Sequence, residues 1–150
     1  MKRVRPFILA LPLLVALTAP TVAAQSRPYT PQRGSVERQQ IMDAFRVPVS
    51  RWTGRTVIFH NVRVRVQNGW AVVRTEPRTP TGQPVIAIDD RRCAPNCTEE
   101  AIGVLRWTGT QWTVVRYRVA PGELPYRWQQ ELPDVPRALW FWNWPTTTRG

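Results

Sequence analysis

Lysine is almost absent from this 150-residue chain, and histidine, cysteine and serine are scarce. Lys2 is the only lysine and His60 the only histidine, so a nucleophile–base pair would have to use His60. Two cysteines and one distant histidine do not supply the ligand set of a zinc site. We therefore expect no enzyme activity, no catalytic residues, no metal site and no cofactor.

The chain also lacks a long apolar run beyond its first 24 residues. Within them, basic residues precede an apolar stretch over 7–19, and small residues at 22–24 fit a signal-peptidase site. A membrane anchor is the alternative, but a bilayer-spanning helix needs roughly 20 apolar residues. We predict a signal peptide at 1–24, no membrane span in the mature chain, and a periplasmic or secreted protein.

Positive charge is in excess, with 21 basic against 10 acidic residues and a formal net charge of +11. Beyond residue 24 the balance is 18 arginines against 10 acidic residues. Such a charge attracts anionic surfaces, and an exported protein is not expected to meet nucleic acid. The expected partners are an anionic envelope surface or another protein. Alternatively, the arginines form a solvated face that keeps the domain soluble. The sequence does not fix the oligomeric state.

A helix is predicted after a polar, proline-bearing lead-in at 25–33, which we expect to be flexible. Ser35 is placed to cap the helix N-terminus, and apolar residues follow at helical spacing. Pro48 is expected to end or kink the helix, and Val49 and Trp52 continue its apolar stripe, so a short second turn is expected to pack on the same surface. Gly54 closes the segment.

Two alternating stretches joined by Asn68-Gly69 predict a first β-hairpin in which Gln67 pairs with Trp70. The predicted core face carries Val62, Val64, Val66, Ala71, Val73 and Thr75. The opposite face carries Arg63, Arg65, Trp70, Val72, Arg74 and Glu76. Arg63 then lies opposite Arg74, which is unfavourable unless an anion or a carboxylate such as Glu76 lies nearby.

Residues 77–99 form the longest irregular segment, with a short extended piece predicted at 85–88. It contains Cys93 and Cys97, which we expect to form a disulfide in an oxidising compartment. A second hairpin follows over 101–107 and 112–119, with Trp107 facing Trp112. Its predicted faces are Ile102, Val104, Val115, Tyr117 and Val119 on one side, and Leu105, Val114, Arg116 and Arg118 on the other.

The fold expected from these elements is α+β, with the N-terminal helix packed on a single antiparallel sheet of about four strands. A short helix is predicted within 124–132 and an aromatic tail follows it. The expected organisation is a signal peptide at 1–24, a flexible lead-in at 25–33, one domain at 34–145 and a polar tail at 146–150.

Three stretches of the sequence carry a resemblance to known proteins. They are Gly34-Ser35-x-Glu37-Arg38-x-x-Ile41-x-Asp43-Ala44-Phe45-Arg46, Trp70-Ala71-Val72-Val73 and Trp112-x-Val114-Val115-x-Tyr117. They resemble a group of small exported bacterial proteins of uncharacterised function, similar to cystatin-like and NTF2-like α+β rolls. The resemblance implies a helix cradled by a curved antiparallel sheet, and it implies no catalytic residues.

The predicted function is non-catalytic binding by a basic, tryptophan-rich surface. Its residues are Arg63, Arg65, Arg74, Arg116 and Arg118 on the sheet, and Trp140, Trp142 and Trp144 in the tail. Alternatively, the tail folds back to complete the core. A different class of function, an NTF2-like enzyme, would place its site in the sheet's concavity near His60. However, His60 shares its predicted strand face with Val62 and Val64, so we expect a buried core histidine.

Overall fold

The computed structural model describes residues 27–85, 97–140 and Trp144. Its elements in chain order are α1 (Val36–Thr53), β1 (Ile58–Gln67), β2 (Trp70–Arg78), β3 (Ala101–Trp107), β4 (Trp112–Val119), α2 (Trp128–Glu131) and a 3-10 turn (Arg137–Leu139). The four strands form one antiparallel sheet in the order β1-β2-β3-β4. The predicted α+β fold of one helix on two hairpins is confirmed. The predictions for residues 1–24, 86–88, Cys93, Trp142 and 146–150 fall outside the described residues.

Helix α1 does not end at Pro48 but continues as one helix to Thr53, and the further turn expected at Val49 and Trp52 forms its last residues. Ser35 caps its start by accepting a bond from the Arg38 amide at 3.3 Å, and Gly54 ends it in the left-handed conformation. An internal proline removes one helical hydrogen bond and costs about 3 kcal/mol. Val49, just beyond the proline, is fully buried, so packing on the sheet holds the last turns in place.

The sheet is covered on both sides. The side under α1, called the helix face, carries the larger core, where the rings of Phe45 and Phe59 stack with their centroids 5.5 Å apart. The Phe45 ring lies directly on Gly103, where β3 has no side chain. On the opposite side, the segment after β4 brings its apolar residues onto the sheet. The buried members of this second core are Trp70, Val72, Ile102, Val104, Trp128, Val135, Leu139 and Trp140.

A bulge in β4 changes the predicted faces of the second hairpin. Leu105 pairs with Val114 and Val104 pairs with Arg116, so Val115 is an extra residue without a partner on β3. One extra residue moves every later side chain to the other face of the sheet. The prediction that Ile102 and Val104 share a face with Val115, Tyr117 and Val119 is therefore wrong. They share it with Arg116 and Arg118, whereas the pairing of Trp107 with Trp112 is confirmed.

The described part of the lead-in, residues 27–33, is not a free arm. Tyr29 exchanges two backbone hydrogen bonds with Val66, of 3.0 and 2.8 Å, at the outer edge of β1. Its hydroxyl donates to Glu37 Oε1 at 2.7 Å. Burial and the Glu37 carboxylate both raise the pKa of the Tyr29 hydroxyl, which keeps it protonated as the donor. These bonds attach residues 27–33 to β1 and α1, while the predicted flexibility of the lead-in stays a prediction.

Candidate anion-binding groove

The strand register places arginines in two rows across the side of the sheet opposite α1. The first row is Arg63, Arg74, Ile102 and Arg118, and the second is Arg65, Val72, Val104 and Arg116. All five arginines predicted from the sequence therefore share one face, which we call the arginine face. The bulge in β4 is what aligns Arg116 and Arg118 with the arginines of β1 and β2.

The arginines of the second row contact residues of the segment that follows β4. The Arg65 guanidinium lies 5.9 Å from the centre of the Trp144 ring, and Arg116 forms an ion pair with Glu131. Trp140 is fully buried against this part of the sheet, and the Trp144 indole N–H donates to the Leu139 carbonyl at 2.9 Å. For Trp140 the structure therefore matches the alternative of a tail that completes the core, and this side chain offers no exposed binding surface.

The end of the first row nearest β1 is open and borders a groove of about 930 Å³. We call this the arginine groove. Its lining residues are Arg33, Arg38, Phe59, His60, Asn61, Val62, Arg63, Arg74, Thr75, Glu76 and Glu100. Four arginines face two glutamates there, so the groove has an excess of positive charge.

Arg63 and Arg74 lie directly opposite each other on β1 and β2, as the sequence predicts. Arg74 is neutralised by Glu100, with Nε at 2.8 Å and Nη2 at 2.6 Å from Oε1. No carboxylate contacts Arg63 among the described residues, and its side chain is exposed. Like charges placed opposite each other destabilise a sheet. Glu100 offsets the charge of Arg74 in this pair, and an anion beside Arg63 would offset the charge that has no carboxylate among the described residues.

His60 lies in this groove and is not the core residue that the strand alternation predicts. It is exposed and pairs across the strands with Glu76. The reason is a bulge, since Asn61 and Val62 together oppose Thr75 and Asn61 has a φ of 49°. The extra residue breaks the alternation that linked His60 to Val62 and Val64.

Glu76 is an ionised carboxylate of this groove. The Asn61 side chain that the bulge directs toward it donates a hydrogen bond, and this bond is the largest cause of a lowered pKa for the Glu76 carboxyl. Arg78 Nη2 donates to Oε2 at 3.1 Å, and the charges of Arg78 and His60 lower the pKa further. Burial acts in the opposite direction but is the weaker effect.

Arg38 supports the wall of the groove. Its two terminal nitrogens donate to the backbone carbonyls of Pro31 and Val62, each at 3.2 Å. It therefore joins α1, the N-terminal segment and the bulge of β1. Burial lowers the pKa of Arg38, and the nearby charge of Arg33 lowers it further. This guanidinium is fixed by main-chain acceptors, whereas Arg63 is free to bind a ligand.

Sequence reasoning missed Arg33 and Arg38 as groove residues and did not assign Glu100 to Arg74. Both arginines lie outside the strands, and nothing in their spacing points toward the sheet. The only available signal for Glu100 was its position directly before β3. It lies two residues before Ile102, the residue that pairs with Arg74, and so on the same side of the sheet as Arg74. Among the described residues, no group of His, Cys, Asp or Glu side chains could hold a metal ion.

In comparisons with known proteins, no protein family, no curated protein and no solved structure matches this chain. The resemblance to cystatin-like and NTF2-like rolls therefore stays a prediction. In the part of the chain that the structure describes, no helix has the length and apolar character needed to cross a membrane.

Proposed function

We propose that this protein is an exported, non-catalytic binding domain whose arginine groove binds an anionic component of the bacterial envelope. The observation that carries the proposal is Arg63, an exposed cation placed opposite Arg74 with no carboxylate of its own among the described residues. Guanidinium groups bind carboxylate and phosphate oxygens through paired hydrogen bonds. Anionic headgroups and acidic cell-wall polymers both carry such oxygens.

Two arginines of the arginine groove are held in place by internal bonds before any anion binds. Arg74 is held by Glu100 and Arg38 by two carbonyls, so these cations do not have to be ordered by the ligand. Holding side chains in place beforehand reduces the entropy lost on binding. The positive charge of Arg33, which also lines the groove, further attracts an anion beside Arg63. The groove is open, which suits a group displayed on a surface or a polymer.

Vesicle binding tests this proposal. The mature protein is titrated with vesicles containing phosphatidylglycerol and with neutral phosphatidylcholine vesicles, over a range of salt concentrations. We expect binding to the anionic vesicles alone, and we expect it to weaken with salt, because the screening length falls from about 30 Å at 0.01 M to about 3 Å at 1 M. Absent or salt-insensitive binding would refute the electrostatic basis of the proposal.

A matched pair of variants assigns the binding to the groove. Arg63→Gln removes one charge from the groove, and Arg55→Gln removes one charge from an exposed position just after α1. We expect the first variant to weaken vesicle binding severalfold and the second to leave it nearly unchanged. Equal weakening by both variants would show that net charge acts without a site. If a soluble acidic protein binds and this binding is weakened by Arg63→Gln, while the anionic vesicles do not bind, the partner is a protein.

One observation favours the alternative of an enzyme, namely the pairing of His60 with Glu76 in the groove. A histidine beside a carboxylate is a common general base. The concavity under α1, where an NTF2-like site would lie, is instead filled by Phe45 and its apolar neighbours. A catalytic role predicts that the protein hydrolyses a chromogenic ester or phosphate and that His60→Gln abolishes the activity without changing vesicle binding. Turnover that survives His60→Gln would exclude this site.

A further inference from the structure

The two edge strands of the sheet, β1 and β4, differ in how far other described residues cover their outer backbone groups. At the β1 edge, Tyr29 pairs with Val66 through two backbone bonds, and Arg38 donates to the Val62 carbonyl. The bulge at Asn61 further interrupts that edge. These are devices by which proteins prevent an edge strand from pairing with another chain.

Within residues 27–85, 97–140 and 144, nothing comparable covers the β4 edge. Among the described residues, no strand or isolated bridge lies on the outer side of β4. The amide of Ala120 donates to the Glu100 carbonyl at 2.8 Å, which fixes the phase of the antiparallel bonds between β3 and β4. In that phase Arg116 and Arg118 bond inward to β3, and the amide and carbonyl of Tyr117 point outward. The outer edge therefore presents main-chain groups that a further strand could pair with.

The side chains beside the β4 edge differ between the two faces of the sheet. On the helix face a groove of about 710 Å³ runs between α1 and β4, and its lining combines apolar side chains with polar ones that include Asp43 and Arg51. Three of its apolar side chains are exposed, Val47 by 59%, Val115 by 43% and Tyr117 by 38%. On the arginine face the same strand carries Arg116 and Arg118, two positions apart.

The arginines also determine which strand fits. If two copies paired through β4, the arginines of both would be brought together at the joint, and like charges on adjacent strands are destabilising. An acidic strand has the opposite effect, because its carboxylates would lie beside Arg118, whereas Arg116 already forms an ion pair with Glu131. Arg118 is exposed and has no partner among the described residues. The charge of the edge thus disfavours self-pairing and favours an acidic partner.

We propose that the β4 edge binds an extended segment of an acidic partner protein by strand addition. The segment alternates acidic and apolar residues, with its acidic side chains on the arginine face and its apolar side chains in the groove along α1. This site is separate from the arginine groove, which lies toward β1, and does not depend on the function proposed for that groove.

The probe is a peptide of about seven residues alternating glutamate and valine, a length typical of strands. A peptide with lysine in place of glutamate is its control. We expect the acidic peptide alone to slow hydrogen exchange at the Tyr117 amide and to shift the resonances of β4. Tyr117→Pro removes the outward amide, a change that edge strands tolerate, and should abolish binding. Tyr117→Ala retains the amide and should retain most of it.

Charge reversal separates this site from the arginine groove. At physiological salt, where the screening length is about 8 Å, Arg118→Glu should weaken the acidic peptide at least tenfold and improve the lysine peptide, while Arg63→Glu should leave both nearly unchanged. The proposal is overturned if the acidic peptide binds no better than the lysine peptide, or if Arg63→Glu and Arg118→Glu weaken it equally. A concentration-dependent dimer of the protein alone that protects Tyr117 from exchange would also overturn it, because a second copy would then occupy the edge.

Discussion

Replacing Gly103 by alanine is the most direct perturbation of the contact between α1 and the sheet. A Cβ built at this position would lie 2.5 Å from Cε2 and 2.8 Å from Cδ2 of Phe45. The ring has nowhere to move, because Phe45 is fully buried and stacks on Phe59 with centroids 5.5 Å apart. Overpacking of this kind costs about 1–3 kcal/mol. That is a large part of a domain's stability of about 5–15 kcal/mol.

A double-mutant cycle gives the assay for this prediction. Chemical unfolding is measured for the unmodified protein, Gly103→Ala, Phe45→Leu and the double variant. Leucine is smaller than the ring, so it should make room for the new methyl group, and Gly103→Ala should then cost less. We expect a coupling energy of about 0.5–3 kcal/mol, the range for residues in contact. Additive effects would show that Phe45 does not lie on Gly103 and would refute the placement of α1.

Three further predictions concern the second core, the groove carboxylate and the N-terminal segment. Trp140→Ala should lower the free energy of unfolding by about 3–5 kcal/mol, measured by urea denaturation, because the side chain is fully buried. Glu76→Gln should reduce the loss of folding stability at acid pH. The folded pKa of the Glu76 carboxyl lies below the ordinary 4.5, so the stability that this carboxylate contributes is complete above pH 4.5 and is lost as the pH falls through the folded pKa. Arg38→Ala should speed proteolysis within residues 27–33, because two bonds to Pro31 and Val62 are lost; an unchanged cleavage rate would contradict this.

The regular parts of the fold could be predicted from the sequence. Asn68-Gly69 specified the first hairpin, because few other dipeptides adopt two left-handed residues in succession, and both have positive φ in the structure. Alternation then correctly placed Val64, Val66 and Val73 in the core. The helix start followed from one capping serine. These features depend on local chemistry, which a sequence displays directly.

The features that the sequence did not reveal depend on one extra residue in a strand. A bulge has no reliable sequence signal, yet it reverses the face of every residue beyond it. The bulge at Asn61 moved His60 from the predicted core to the groove, and the bulge at Val115 moved Arg116 and Arg118 to the face of Val104. The continuation of α1 through Pro48 has a different cause, because the burial of Val49 on the sheet outweighs the helix-breaking preference of proline.

The two proposed sites lie at opposite ends of one row, which leads to a final test of their independence. Arg63 on β1 and Arg118 on β4 are separated by three strand spacings, or about 14 Å, since neighbouring strands lie about 4.8 Å apart. The screening length is about 8 Å at physiological salt and about 30 Å at 0.01 M. Vesicle binding in the groove and peptide binding at the edge should therefore be independent at physiological salt. At low salt each anionic ligand should weaken the other, because each reduces the positive potential that attracts its counterpart. Mutual weakening that persists at high salt would mean that the ligands share one site, which would contradict the division of the arginine face.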